Sequence, residues 1–117
     1  AELKDLKALP LLTDLLGTRP KEISEEARRA LVEITKQDFG SSSRRWRAWL
    51  ADNESNSRTA WLVEGLAHKD AAIRASSQTE LNRSTGKFFG YRSDAPRQER
   101  EAALGKWRTW LAEQETP

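Results

Sequence analysis

Residues 11–40, LLTDLLGTRPKEISEEARRALVEITKQDFG, are followed fifty positions later by a diverged copy, residues 61–90, WLVEGLAHKDAAIRASSQTELNRSTGKFFG. The copies align without a gap, and seven aligned pairs are identical: Leu12 and Leu62, Leu16 and Leu66, Ile23 and Ile73, Leu31 and Leu81, Thr35 and Thr85, Phe39 and Phe89, and Gly40 and Gly90. Six of these pairs are apolar residues or glycine, which govern packing and chain reversal. The copies are therefore expected to form the same structural unit twice.

A pair of tryptophans follows each copy. The sequence WRAWLA occupies residues 46–51 and WRTWLA occupies residues 107–112, with eleven more residues before the Trp pair in the second case. Two Trp residues three positions apart lie on one face of a helix, and their large apolar rings favour burial. We expect both Trp pairs to lie in the core rather than to form exposed binding platforms.

The periodicity of the sequence predicts an all-α fold. Apolar residues recur every three or four positions in almost every segment, and no alternating strand pattern is present. The first helix is expected to restart at Pro10 and to end at Gly17, and the third helix is expected to have Ser43 as its cap. The residues expected to face the core of the first helix pair are Leu11, Leu12, Leu15, Leu16, Ile23, Ala27, Ala30, Leu31 and Ile34.

The turn after each helix pair ends in Phe-Gly. We expect Phe39 and Phe89 to fill the space between each helix pair and its Trp helix. Gly40 and Gly90 are expected to adopt positive φ, a backbone conformation that glycine reaches without steric cost.

The composition excludes several classes of protein. The 117 residues include no Cys and one His. A chain without Cys has no disulfide framework, no thiolate chemistry and no Cys-ligated zinc or iron–sulfur site, and a single His removes nearly every His-based metal site. We therefore predict no metal site, no cofactor and no enzymatic activity.

The charges are nearly balanced overall but uneven along the chain. There are 20 Lys and Arg against 18 Asp and Glu, a net charge of +2, and residues 41–117 hold thirteen positive and ten negative side chains. This tilt is mild evidence for a polyanionic partner. No apolar run approaches the roughly 20 residues that a membrane-spanning helix requires. We predict no membrane span, and the compartment is left open.

The helix pairs resemble HEAT-like repeats. The resemblance rests on Leu-x-x-x-Leu in the first helix, at Leu12 and Leu16, and on Ile-x-x-x-Ala-x-x-x-Leu in the second, at residues 23–31. The tails resemble an extension in bacterial HEAT-repeat proteins, a Thr-Gly-x-x-Phe-Gly turn, here residues 85–90, followed by a Trp-x-x-Trp helix. The second copy is expected to pack less well, because Ser77 and Ser84 replace apolar residues of the first.

The resemblance implies a short α-solenoid of two repeats, at about 10–52 and about 58–114, within a single domain over residues 1–117. Each repeat would be extended by its Trp helix, with residues 1–9 and the final helix as caps. Solenoids of this kind bind other macromolecules on their surfaces. The resemblance thus implies a non-enzymatic protein-binding or scaffolding module, alone or as part of a longer repeat protein.

Two groups of residues are candidates for partner binding. One is the set of arginines on the first Trp helix, and the other is the loop segment 88–97, which runs into the eleven-residue extension where the copies differ. The candidate residues are Arg44, Arg45, Arg47, Phe88, Tyr91, Arg92 and Arg97. Substituting Arg44 or Tyr91 is expected to weaken the binding of a partner without unfolding the domain.

Two alternatives to protein binding remain open from the sequence. Arginines interleaved with Trp suit contacts to backbone phosphates together with base stacking, which favours nucleic-acid binding as the second function. Against this, the same arginines are also what a short helix with an inward Trp stripe shows to solvent. Carbohydrate recognition by exposed Trp rings is the third.

Overall fold

The computed structural model describes residues 6–115, which form α-helices joined by turns and contain no strand. The chain divides into two units, Ala1–Ser57 and Arg58–Pro117. The first unit holds a 3-10 turn (Leu6–Ala8) and helices α1 (Leu9–Leu15), α2 (Lys21–Thr35) and α3 (Ser43–Asn53). The second unit holds α4 (Arg58–Gly65), α5 (Ala71–Thr85) and α6 (Arg97–Glu115). The all-α prediction is confirmed for these residues, and residues 1–5 of the expected cap lie outside them.

Each unit is built in the same order. The first two helices pack against each other, and the third helix contacts the first. The boundary between the units, after Ser57, lies in the gap between the two stretches that resemble HEAT-like repeats.

The core of the first unit agrees in part with the expected set. Leu16, Ala27, Leu31 and Ile34 are buried as expected, whereas Leu11, Leu15 and Ile23 are exposed at 67%, 40% and 42%. Three residues outside the expected set are buried as well, Leu9 and Thr13 of α1 and Ser24 of α2.

Hydrogen bonds explain why two hydroxyl side chains hold inward positions. Thr13 donates to the carbonyl of Pro10 (2.6 Å), and Ser24 accepts from the amide of Gly17 where α1 ends (2.7 Å). A buried hydroxyl costs little when it is hydrogen-bonded. Ser24 therefore closes the turn between α1 and α2, which selects a helix face one residue away from Ile23.

The Trp helix of the first unit is held by its Phe-Gly turn. The ring of Phe39 meets Trp46 edge to face, with centroids 4.9 Å apart, and the indole N–H of Trp46 donates to the carbonyl of Gly40 (2.9 Å). Gly40 has φ +62°. Asp38 fixes the turn by accepting from the amide of Gly40 and from the guanidinium of Arg28. The helix cap is Ser42, one residue before the predicted Ser43.

In the second unit, the Phe-Gly turn holds the Trp helix in the same way. Phe89 meets Trp107 edge to face at 4.8 Å, and Gly90 has φ +77°. The hydroxyl of Thr85 donates to Leu81 and accepts from the amide of Lys87, as Thr35 does with Leu31 and Gln37. The expected roles of the Phe residues and of the positive-φ glycines are confirmed in both units.

Burial of the Trp pairs is confirmed for the first member of each pair. Trp46 and Trp107 are 0% and 1% exposed, whereas Trp49 and Trp110 are half-buried. Trp61, which belongs to neither pair, is 3% exposed.

The expectation that the second copy packs less well is wrong for the described residues. Ten apolar residues are buried in the second unit, against six in the first. The difference arises because Val63, Tyr91 and Leu104 join the cluster formed by α4, α5 and α6. Ser77 does leave a local defect, since its buried hydroxyl has no hydrogen-bond partner among these residues.

Truncating either edge-to-face Trp should destabilise its unit. Trp46→Ala and Trp107→Ala each remove a fully buried ring, which costs about 3 to 5 kcal/mol of unfolding free energy. The measurement is urea unfolding followed by circular dichroism. Leu11→Ala, at an exposed position, is the control and should cost less than about 0.5 kcal/mol. Unchanged midpoints for the Trp variants would refute the packing described above.

Candidate anion-binding cavity in the second unit

The three candidate arginines of α3 are exposed on the first unit, and two of them have intramolecular partners. Arg47 pairs with Asp14 of α1, and the guanidinium of Arg45 lies over the ring of Phe39, 5.3 Å from its centroid. Arg44 makes no hydrogen bond or ion pair to another described residue. These contacts account for Arg45 and Arg47 as solvated residues that support the helix.

The other four candidates lie on the second unit. Phe88 is 47% exposed, Arg92 is exposed in the loop, and Arg97 is the exposed first residue of α6. The placement of Tyr91 on a binding surface is wrong, because its side chain is fully buried. Its phenolic hydroxyl donates to the carbonyl of Leu66 (2.6 Å), and its ring belongs to the core cluster. Tyr91 therefore fastens the loop to the end of α4.

A cavity with five cations among its eleven lining residues lies in the second unit. It has a volume of 610 Å³ and lies between the turn that joins α4 to α5 and the first half of α6. Its apolar floor includes Leu66 and Leu104. The charged side chains that line it are Lys69, Arg74, Arg97, Arg100, Arg108 and Glu101. Five cations against one carboxylate, in a chain of net charge +2, make this a concentrated positive site.

Arg74 of α5 organises the turn at the base of the cavity. Its Nη1 donates to the carbonyls of His68 (3.0 Å) and Lys69 (2.9 Å), and its Nε donates to the carbonyl of Ser93 in the loop (3.1 Å). Asp70 caps α5 by accepting from the amide of Ala72 (2.8 Å). Arg74 thus fixes both the turn and the loop relative to α5.

Arg100 of α6 performs the same role on the opposite side. Its Nε donates to the carbonyl of Ala95 (2.9 Å), close to the bond that Arg74 makes with Ser93. Burial raises the pKa of the Tyr91 phenol, while the guanidinium groups of Arg74 and Arg100 act in the opposite direction. Both arginines therefore stand beside the buried phenol and are oriented before any ligand arrives.

Of the other three cations of the cavity, two form ion pairs with a carboxylate and one does not. Arg97 pairs with Glu101 (2.9 Å) and Arg108 pairs with Glu64 (3.0 Å), and all four side chains are at least half exposed. The Lys69 side chain is exposed, and its ammonium group makes no hydrogen bond or ion pair to another described residue. Lys69, Arg74 and Arg100 are thus the cations of the cavity that no carboxylate neutralises.

A smaller cavity occupies the equivalent place in the first unit. It measures 440 Å³, and its lining residues Gly17, Thr18, Arg19 and Ser24 correspond, fifty residues earlier, to Ala67, His68, Lys69 and Arg74. Ser24 stands where the second unit has Arg74. Of its other cations, Lys21 pairs with Glu25 and Arg28 with Asp38. The equivalent cavity therefore carries less unpaired positive charge.

Comparison of the chain with known protein families, curated proteins and solved structures found no match. Within residues 6–115, no group of three or more His, Asp or Glu side chains is placed to hold a metal ion. No helix in that range is both long enough and apolar enough to cross a membrane. The cavity is therefore interpreted from its own geometry and charge.

Arg97 is the one candidate residue from the sequence that lines the cavity, and Lys69, Arg74 and Arg100 are not predicted by the sequence pattern. Lys69, Arg74, Arg100 and Arg108 are separated along the chain and belong to three different elements. One feature of the sequence could have pointed to the cavity: both copies have a cation in the turn between their first two helices, Arg19 in the first and Lys69 in the second.

The buried hydroxyl of Tyr91 should contribute measurably to stability. Tyr91→Phe leaves the carbonyl of Leu66 without its donor, which costs about 1 to 3 kcal/mol, as urea unfolding measures. The contribution should fall above pH 10, because the phenol ionises more readily in the unfolded chain than in the folded one. The gap between the natural chain and Tyr91→Phe should therefore narrow from about pH 8 to about pH 11. A pH-independent gap would contradict the burial of this phenol.

Removing the guanidinium of Arg74 should loosen the turn and the loop together. Arg74→Gln loses donors to three carbonyls, and we expect a cost of about 1.5 to 3 kcal/mol. Arg83→Gln, an exposed position on the same helix, should cost less than about 0.5 kcal/mol in the same urea titration. Equal effects of the two variants would show that the carbonyl bonds are unimportant.

Proposed function

We propose that the chain is a non-enzymatic protein-binding module built as a short α-solenoid of two HEAT-like repeats, each extended by its Trp helix. Support comes from the two units, which share the helix order, the Thr hydroxyl bonds after the second helix and the edge-to-face Phe–Trp contact. Repeats of this kind supply a rigid frame, and variable loops on such a frame carry specificity. The longest difference between the copies is the eleven-residue extension, and it includes the loop at residues 91–96.

The observation that carries the proposal is the basic cavity beside that extension. Arg74 and Arg100 hold the loop through the carbonyls of Ser93 and Ala95, so the exposed Arg92 stands next to a fixed segment. A fixed, positively charged concavity is complementary to a short acidic segment. We therefore propose that the second unit binds an acidic segment of a protein partner.

The burial of the Trp rings favours a protein partner over nucleic acid. Trp46 and Trp107 are fully buried and pack against Phe39 and Phe89, so their faces are not open to stacking bases. Binding of single strands relies on exposed rings along a continuous basic track. Five cationic residues of the second unit instead line one cavity.

Fluorescence anisotropy with two labelled probes tests this function. We expect hexaglutamate to bind the full chain and to bind about tenfold more weakly to the double variant Lys69→Gln/Arg97→Gln, because two cations of the cavity are lost. Arg83→Gln, which removes an exposed cation elsewhere on the second unit, is the matched control and should change affinity by less than about twofold.

Two results would contradict the proposal. One is equal weakening by the control and by the double variant, which would indicate attraction to the overall charge alone. The other is tighter binding of a dodecamer of deoxythymidine than of hexaglutamate, with a steep loss of affinity in salt, which would support the nucleic-acid alternative.

A further inference from the structure

Resting on the proposed function, we propose that the group held in the basic cavity is a phosphate monoester, the phosphorylated serine or threonine side chain of the partner segment. Lys69, Arg74 and Arg100 would bind the phosphate group. Three properties of these residues favour phosphate over a carboxylate: the elements they come from, the donors they have left and their charge.

The three cations reach the cavity from three different elements. Lys69 comes from the α4–α5 turn, Arg74 from α5 and Arg100 from α6, and all three line the same space. A phosphate monoester has three terminal oxygens in a tetrahedral arrangement and can accept from donors in several directions. A carboxylate is planar, and a single guanidinium satisfies both of its oxygens. Three cations from three elements around one cavity therefore favour phosphate.

The two arginines retain donors for a ligand. Arg74 uses Nε and Nη1 on carbonyls, which leaves Nη2. Arg100 uses Nε on the carbonyl of Ala95 and also hydrogen-bonds the Tyr91 phenol, and N–H groups on its Nη atoms remain. Both side chains are partly buried. Because the carbonyl bonds already orient the two guanidinium groups, little side-chain entropy is lost when an anion binds.

The charge of the cavity also suits phosphate. Glu101 and Glu64 neutralise Arg97 and Arg108, so about three positive charges remain unneutralised. A phosphorylated side chain carries about −1.5 to −2 at neutral pH, twice the charge of a carboxylate. The equivalent cavity of the first unit, with Ser24 in place of Arg74, lacks this set and should not bind phosphate.

Nuclear magnetic resonance titration of the full chain, labelled with nitrogen-15, tests the inference. The probes are two tripeptides with blocked ends, Asp-phosphoserine-Asp and Asp-Glu-Asp, at about 0.15 M salt. We expect the phosphorylated peptide to bind about tenfold more tightly and to shift the amides of the α4–α5 turn and the start of α6. Lys69→Gln should weaken binding of the phosphorylated peptide about fivefold or more, and Arg83→Gln should weaken it by less than about twofold.

Arg100→Lys tests the role of Arg100 in a variant that keeps the positive charge. The lysine keeps the charge but loses the fork of N–H donors, so phosphopeptide binding should still weaken while the folded spectrum is kept. Unweakened binding in this folded variant would overturn the assigned role of Arg100.

The outcomes separate the inference from the proposed function. Equal affinity for the two peptides would overturn the phosphate inference and leave an acidic-segment site. Binding of neither peptide at about 10 mM would overturn both. Inorganic phosphate that binds as tightly as the phosphopeptide would identify a site for free anions and overturn the peptide assignment. Shifts confined to the first unit would also overturn it.

Discussion

The edge-to-face contact between a phenylalanine and a tryptophan closes each unit, and the other features of the structure depend on it. Phe39 with Trp46 and Phe89 with Trp107 have nearly the same separation and angle, 4.9 and 4.8 Å at 84°. Aromatic pairs favour this geometry because a positive ring edge meets a negative ring face. A positive-φ glycine follows each phenylalanine, so the chain can bring the Trp helix back over the helix pair.

The candidate site arises because the second unit has a longer connection between its Phe-Gly turn and its Trp helix. In the first unit the chain passes from Gly40 to α3 in two residues, whereas the second unit inserts a loop that runs from Gly90 to α6. The loop is held by one buried phenol, Tyr91, and by guanidinium groups that donate to its carbonyls. Those same guanidinium groups line the cavity, so the interactions that stabilise the loop also orient the cations proposed to bind the partner.

Much of the fold could be predicted from the sequence. The apolar periodicity predicts the helices, and the recurrence of Phe-Gly and Trp-x-x-Trp in both copies predicts the positive-φ glycines and the packing of Phe against the Trp helix. The errors have specific causes. Leu11 and Ile23 follow the apolar pattern but lose the inward positions, because Ser24 must accept from the amide of Gly17. Tyr91 was expected on the surface because loops are usually exposed, yet its hydroxyl finds a buried carbonyl. Most of the cavity was missed, because the roles of Arg74 and Arg100 depend on carbonyls about five to twenty residues away.

The Phe–Trp contact itself, and not the burial of each ring alone, holds the Trp helix against its helix pair. A double-mutant cycle with Phe89→Leu, Trp107→Leu and the combined variant, measured by urea unfolding of the full chain, separates the two contributions. We expect a coupling free energy of about 0.5 to 1.5 kcal/mol between the two positions. Additive effects, with a coupling indistinguishable from zero, would contradict it.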